Sequence, residues 1–249
     1  MTYIEAAVAA VKASADLIMG SFGKELSVDE AKHHDIKLAL DRESQDLITS
    51  ILLKEFPDHA LYGEEGIAGN QDSDYQWIVD PIDGTVNYFY GIPHFCISVA
   101  LRHHGEIILG VIFDPVAKEL WTVEQDGPAF LNGEVIQASP RTKLEESILY
   151  VGCGKTEKAM ETGLPRFKRA SLRARKMRMM GSAALATAYV ATGRLDAYVE
   201  ARISLWDIAA GKLLIEAAGG VVELQPIEGS DDAYSIIASN GKIPIEEIL

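Results

Sequence analysis

Two aspartates, Asp80 and Asp83, close an apolar run, Trp77-Ile78-Val79, with Pro81 and Ile82 between them and Gly84 and Thr85 after them. Hard divalent cations prefer oxygen ligands, and Mg²⁺ in particular is held by one or two carboxylates, waters and the phosphate oxygens of a substrate. Residues 77–79 read as a buried strand. Pro81 cannot continue its hydrogen-bond ladder, so the chain is expected to turn where the carboxylates appear and bring them together. The same turn would expose the carbonyl of Ile82. Gly84 permits close approach of a ligand, and Thr85 is placed to open a helix whose free N–H groups attract an anion. The chemistry suggested is a magnesium ion beside a phosphate.

Further acidic residues on three other segments could join or ignore such a site. Gly63-Glu64-Glu65-Gly66 follows a short strand at residues 60–62, where a solvated turn is the plain alternative. Ser204 and Asp207, in Ser204-Leu205-Trp206-Asp207-Ile208-Ala209-Ala210-Gly211, have spacing close to that of a capping box. Asp207 alone would then do no more than favour the positive end of a helix, typically by about 0.3 to 1 kcal/mol. Asp41 stands just before a helix that starts near Glu43, a position suited by residue type to an N-cap.

The elements that must position these groups follow from periodicity. Ile4, Val8, Val11, Ala15 and Ile18 recur at helical spacing and predict a helix over residues 2–19. Leu47, Ile48, Ile51, Leu52 and Phe56 predict another over 43–56, ended by Pro57 and Asp58. Short strands are expected at 60–62, 76–79, 96–102, 106–113, 119–123 and 135–138, separated by turn signals such as His103-His104-Gly105 and Asn132-Gly133. Successive hairpins imply an antiparallel sheet. Ser139-Pro140-Arg141-Thr142 marks a seam dividing the chain into halves 1–139 and 140–249. Beyond it, strands at 148–151, 176–180, 195–200, 221–224 and 235–238 alternate with helices at 157–168, 183–192 and 207–218, which suits a mixed or parallel sheet covered by helices.

With 249 residues, 48% hydrophobic, the chain is an ordinary globular one, and its net charge of −14 argues against a nucleic-acid polymer or an anionic membrane surface as partner. An anionic substrate would need local cations, which carboxylate-bound metal ions supply. Cys96 and Cys153 lie far apart without metal-ligand spacing and read as reduced thiols of a cytoplasmic protein. The small-residue stretch 6–10 is flanked by Glu5, Lys12 and Asp16, so it is not a secretory core, and no apolar run reaches membrane-spanning length.

Gly63-Glu64-Glu65, the segment 77–85, and Leu205 to Gly211 followed by Glu216-Ala217-Ala218-Gly219-Gly220 occur in the order and approximate spacing of the inositol monophosphatase family, which the chain resembles over almost its full length. That resemblance implies a lithium-sensitive, magnesium-dependent phosphatase. The fold it implies is a layered α/β/α/β/α sandwich of the sugar phosphatase type, antiparallel sheet first and mixed sheet second, with the active site between them and a homodimer as the assembly. It further implies two or three Mg²⁺ ions on Glu64, Asp80, the carbonyl of Ile82, Asp83 and Asp207. Glu64 and Asp80 would hold the ion that activates water; Asp80, Asp83 and Asp207 would hold the one that neutralises the leaving oxygen; a third would touch Glu64 and solvent. Glu65 would support these ligands. Thr85 and Asp41 would form a hydrogen-bonded pair that assists removal of the water proton. Gly84 and Thr85 would bind phosphate oxygens, and Ala183, Glu200 and Asp207 would face the rest of the substrate, a polyol or sugar.

Departures from the family pattern bear on the substrate. Asp35 is followed by Ile36-Lys37-Leu38 where many relatives carry threonine, and the lysine expected on an upstream loop falls near Lys32. Arg166, Lys168, Arg169, Arg173, Arg175, Lys176 and Arg178 form a basic run. It is either a solvated face or a place where Arg173, Arg175 or Lys176 reaches a second phosphate, as on fructose 1,6-bisphosphate or a 3′-phosphoadenosine nucleotide. His33, His34, His59, His94, His103 and His104 share no ligand spacing, and Tyr88, Phe89 and Tyr90 suit packing or a pocket wall. The leading expectation is a phosphomonoesterase acting on inositol phosphate or a related sugar phosphate. A bisphosphatase, or a catalytically silent phosphate-binding module, is the alternative.

Overall fold

In the computed structural model the described residues are 1–24, 26–32, 35–230 and 232–249, and the described side chains exclude 29–32, 35 and 37. Helix α1 (Tyr3–Ser21) opens with a capping box: the Thr2 hydroxyl accepts the Glu5 N–H at 3.3 Å while the Glu5 carboxylate accepts the Thr2 N–H at 2.8 Å. Its stripe of Ala6, Ala10, Val11, Ala15 and Ile18 is buried. The hairpin β1 (Val28–Lys32) and β2 (Asp35–Leu38), not foreseen from sequence, delivers the chain directly into α2 (Ala39–Glu55). That helix starts four residues before the expected Glu43. Asp41 is therefore its third residue and not its N-cap, with Oδ2 accepting the Leu38 N–H at 2.8 Å. Ser14 and Ser44 join the two helices through hydroxyls 2.7 Å apart.

The first sheet has eight strands in the order β10-β9-β8-β7-β6-β5-β3-β4. They are β3 (Ala60–Gly63), β4 (Gly66–Gly69), β5 (Tyr75–Asp83), β6 (Cys96–His103), β7 (Glu106–Asp114), β8 (Glu119–Glu124), β9 (Phe130–Leu131) and β10 (Glu134–Val135). All neighbours are antiparallel except β3 and β5, which run parallel. The strand expected at 135–138 is replaced by the β9–β10 hairpin, whose turn uses left-handed Asn132 (φ 51°) and Gly133 (φ 84°). Trp77 and Val79 point into a core beneath α1 and α2, while Ile78 points into the core on the opposite face. Burial on both faces explains why this strand reads as an unbroken apolar run.

The second sheet runs β12-β11-β13-β15-β14, formed by β11 (Ile148–Val151), β12 (Lys176–Arg178), β13 (Ala197–Ser204), β14 (Val221–Pro226) and β15 (Ala233–Ser239). Its first two pairs of neighbours are parallel and the other two antiparallel, so the sheet is mixed as expected. Helices α5 (Ala183–Ala191) and α6 (Leu205–Ala217) lie between the sheets; α6 touches β5 to β8 on one side and β13 to β15 on the other. Small residues permit this close approach. A Cβ on Gly110 of β7 would come within 2.8 Å of the Ala210 carbonyl oxygen of α6. Helix α4 (Glu157–Arg173), which continues through Pro165, covers the outer face of the second sheet with Phe167 and Ala170. The layers are thus α1 and α2, first sheet, α5 and α6, second sheet, and α4: the α/β/α/β/α sandwich. Among the described residues, no helix is long and apolar enough to cross a membrane.

Candidate active site

Strand β5 does not stop at Pro81, contrary to the turn expected there. Its register against β6 runs from Tyr75 opposite His103 to Asp80 opposite Ser98, then skips to Asp83 opposite Cys96. The missing proline N–H falls in this bulge, which absorbs two residues without a ladder partner. The Asp80 carboxylate accepts the Ile82 N–H at 3.1 Å. Gly84 follows with φ 100°, where a Cβ would also come within 3.0 Å of the His94 carbonyl, so both conformation and space call for glycine. Helix α3 (Thr85–Phe89) begins there, and the Thr85 hydroxyl donates to the Ile82 carbonyl at 2.9 Å. Asn87 fastens this turn by donating to the carbonyls of His94 at 2.8 Å and Met180 at 2.7 Å.

Asp83 caps α5: it accepts the N–H groups of Ala183 at 3.2 Å and Ala184 at 2.7 Å, together with the Ser182 hydroxyl. Asp207, third residue of α6, accepts the Ser204 N–H at 3.0 Å. Its capping role is real, yet the same side chain enters the cluster. Asp80, Asp83 and Asp207 each offer an oxygen within 4.8 Å of the others. Asp80 is 1% exposed and Asp83 6%. Glu64 follows β3, its N–H donating to the Val79 carbonyl at 3.1 Å, and its charge acts on both Asp80 and Asp207. Gln45 of α2 fixes this segment, accepting the Glu65 N–H at 2.9 Å and donating to the Gly66 carbonyl at 3.2 Å.

Burial pushes the Asp80 carboxyl well above the usual carboxylate range, and Glu64, Asp83 and Asp207 add to the effect. Asp207 is raised well above it too, by burial first and then by Asp83 and Glu64. Burial also raises Asp83, against the hydrogen bonds from Ser182, Ala184 and Ala183. An all-oxygen set of converging carboxylates whose burial and mutual repulsion favour the protonated form fits a hard divalent cation, which would replace the protons.

Two adjoining cavities of about 510 and 170 Å³ open at this cluster. The smaller is lined by Glu64, Asp80, Ile82, Asp83 and Asp207, and also by Gly84, Thr85, Ala183 and Glu200. Glu200 is held at its rim by the Gly154 N–H at 3.0 Å and the Tyr198 hydroxyl, and burial raises its carboxyl against these two hydrogen bonds. The N–H of Ala183 is committed to Asp83, so this residue offers the cavity only a small side chain. Asp41 lines neither cavity. It is buried in the first turn of α2, and the single hydroxyl proton of Thr85 goes to Ile82 in this arrangement and not to Asp41.

Of the two readings of the basic run, the geometry agrees with the solvated face. Arg173 pairs with Glu247, Arg169 donates to the Ile248 carbonyl at 3.2 Å, and the exposed Arg175 and Lys176 line neither cavity. The cations that do line the larger cavity are Lys155 and Arg202, which sequence reasoning passed over. The signal for Lys155 was a Gly-Lys pair just beyond a buried strand, where loops bring functional groups. Tyr88 is core, its hydroxyl donating to the Ile18 carbonyl at 2.5 Å. His59 stacks between Phe56 and Tyr75, and no histidine joins a metal cluster among the described residues. His33, His34 and the Lys32 side chain lie outside the described residues.

A sequence profile of the inositol monophosphatase family matches residues 1–243. The fructose-1,6-bisphosphatase/inositol-1-monophosphatase of Thermotoga maritima is 40% identical over 215 residues, 86% of this chain and 81% of that protein. The inositol-1-monophosphatase of Mesorhizobium japonicum is 37% identical over 88% of this chain and 87% of its own, and a Pseudomonas aeruginosa protein named Nus factor SuhB is 37% identical over 87% and 83%. Among solved structures, the extragenic suppressor protein SuhB of Bartonella henselae superposes with a TM-score of 0.89 at 33% identity, covering 98% of this chain and 96% of that one. The Thermotoga maritima IMPase superposes with a TM-score of 0.87 at 35% identity, covering 100% and 96%.

Proposed function

The chain belongs to the inositol monophosphatase family of phosphoric monoester hydrolases, and from that premise we propose that it hydrolyses the phosphate monoester of inositol or a related sugar with the help of magnesium. The observation that carries this reading is the convergence of Asp80, Asp83 and Asp207 within 4.8 Å in a cavity that also presents Glu64, Gly84, Thr85 and Glu200.

Magnesium ions held by Glu64, Asp80, the Ile82 carbonyl, Asp83 and Asp207 would acidify water and offset the charge of the phosphate dianion. Gly84 and Thr85 bring backbone N–H groups to the cavity wall, where phosphate oxygens would be held. The Thr85 hydroxyl, which donates to the Ile82 carbonyl in this arrangement, would be free to pair with Asp41 as a proton relay if that carbonyl held a cation. Glu200, already accepting from Gly154 and Tyr198, has further lone pairs for a substrate hydroxyl.

A second reading, a bisphosphate substrate, is favoured by Lys155 and Arg202 in the larger cavity, which adjoins the carboxylates. The relatives named Nus factor SuhB raise a different class, association with transcription machinery. Against a purely non-catalytic role stands the complete carboxylate set, and against direct nucleic-acid contact the net charge of −14. We extend the same proposal to a homodimer, lithium inhibition, a cytoplasmic location and structural halves 1–139 and 140–249. Phosphate release measured on inositol 1-phosphate, fructose 1,6-bisphosphate and 3′-phosphoadenosine 5′-phosphate tests these readings together, and no release from any of them would contradict all but the binding module.

A further inference from the structure

A third cavity, of about 510 Å³, lies on the outer face of the second sheet between α4 and β13. It shares only Thr156 and Arg202 with the larger active-site cavity. Ala159, Ala201 and Ile227 give it apolar lining, and among the described residues three cations, Lys158, Arg166 and Arg202, surround that lining against one carboxylate, Glu228. In a chain of net charge −14 this is a local reversal of sign. Arg169 crowds Arg166, yet it is Arg169 that finds a partner, the Ile248 carbonyl. Among the described residues, no hydrogen bond or ion pair holds the Arg166 guanidinium or the Lys158 ammonium, and Arg202 reaches only the Ser230 hydroxyl at 3.5 Å. A half-buried guanidinium beside a like charge, without a counter-charge, is unfavourable unless something anionic completes it.

We propose that this groove between α4 and β13 is a second binding site, taking a small organic anion whose phosphate-like head pairs with Arg166 and Lys158 and whose apolar body lies on Ala159, Ala201 and Ile227. Arg suits the head because its planar fork meets two oxygens of a tetrahedral anion at once. The site stands apart from the acidic cluster, which repels anions in the absence of metal, so the two can be separated by chelation. The inference does not depend on the substrate assignment.

The test is calorimetric titration of the whole protein in EDTA with phenylphosphonate, whose carbon–phosphorus bond this chemistry does not cleave, and with inorganic phosphate for comparison. The expected result is one site for phenylphosphonate, tighter than for phosphate, and weakened about tenfold or more by Arg166→Ala and by Lys158→Ala. Thermal melts of both variants without ligand, expected to be no lower than the wild type because neither side chain has a partner to lose and Arg166→Ala removes an uncompensated charge, guard against misfolding. Absence of binding in EDTA, equal affinity for phosphate and phenylphosphonate, or binding unchanged in both variants would each overturn the proposal.

Discussion

The carboxylate of Asp83, at the end of β5, accepts the backbone N–H of Ala184, in the first turn of α5, at 2.7 Å. One side chain therefore closes a cap on a helix between the sheets and also faces the cavity that Asp80 and Asp207 share. Metal binding at this cluster would be mechanically joined through it to the packing of α5. Asp83→Ala should consequently destabilise the metal-free protein by about 1 to 2 kcal/mol, the usual scale for a lost cap, in urea unfolding followed in EDTA. An unchanged midpoint and slope would show that the cap carries no stability.

The raised carboxyls give metal-free stability a definite pH dependence. Asp80 and Asp207 hold protons in the folded chain that the unfolded chain has already released, so their stabilising share is fully present below the usual carboxylate range. It is lost as pH rises through the folded-state values. Thermal melts in EDTA should therefore fall in temperature as pH rises from the carboxylate range upward, and Asp80→Asn should flatten that slope. Mg²⁺ at 100 times its dissociation constant should restore about 2.7 kcal/mol at neutral pH. A melting temperature indifferent to millimolar Mg²⁺ would count against the site.

Glu200 is positioned by what surrounds it: a Cβ on Gly152 would overlap its carboxylate. Gly152→Ala and Glu200→Gln should both raise KM for inositol 1-phosphate while leaving Mg²⁺ affinity near the wild-type value, since Glu200 lies outside the carboxylate triad. Steady-state kinetics with magnesium titrations distinguish this from a metal defect. Loss of Mg²⁺ affinity in either variant would reassign the residue.

For a bisphosphate substrate, Lys155→Ala and Arg202→Ala should each reduce kcat/KM on fructose 1,6-bisphosphate by about tenfold or more, the scale of a lost charge-assisted hydrogen bond, with a smaller effect on inositol 1-phosphate. Arg173→Ala, removing an ion pair to Glu247 far from the cavities, should leave both ratios unchanged. Equal losses on the two substrates would show that the cations serve the shared phosphate and do not select a second one.

The site was legible in the sequence wherever chemistry is carried by the residue itself. The carboxylates of Asp80 and Asp83 converge as their spacing suggested, Asp207 joins them as the family resemblance implied although its own motif read as a cap, and Glu64 and Glu200 line the same cavity. What could not be read was local geometry decided by partners distant in sequence. Pro81 suggested a turn, but pairing of Asp83 with Cys96 keeps the strand going through a bulge. Asp41 looked like a cap because the β1–β2 hairpin that starts α2 early carries no clear alternation. Gln45, which holds the Glu64–Glu65 segment, lies on a helix whose pattern only announces its buried face. The arginines before Gly181 drew attention by their number, whereas Lys155 and Arg202 reach the cavity because β11 and β13 are neighbours, a fact of topology.

The most direct test of the central claim is phosphate release from inositol 1-phosphate by the wild-type protein and by Asp80→Asn, each with Mg²⁺ and with EDTA. The carboxylate-held magnesium site predicts release by the wild type with Mg²⁺, none in EDTA, and background rates from a folded Asp80→Asn under both conditions. Undiminished release in EDTA, or wild-type turnover by Asp80→Asn, would contradict it.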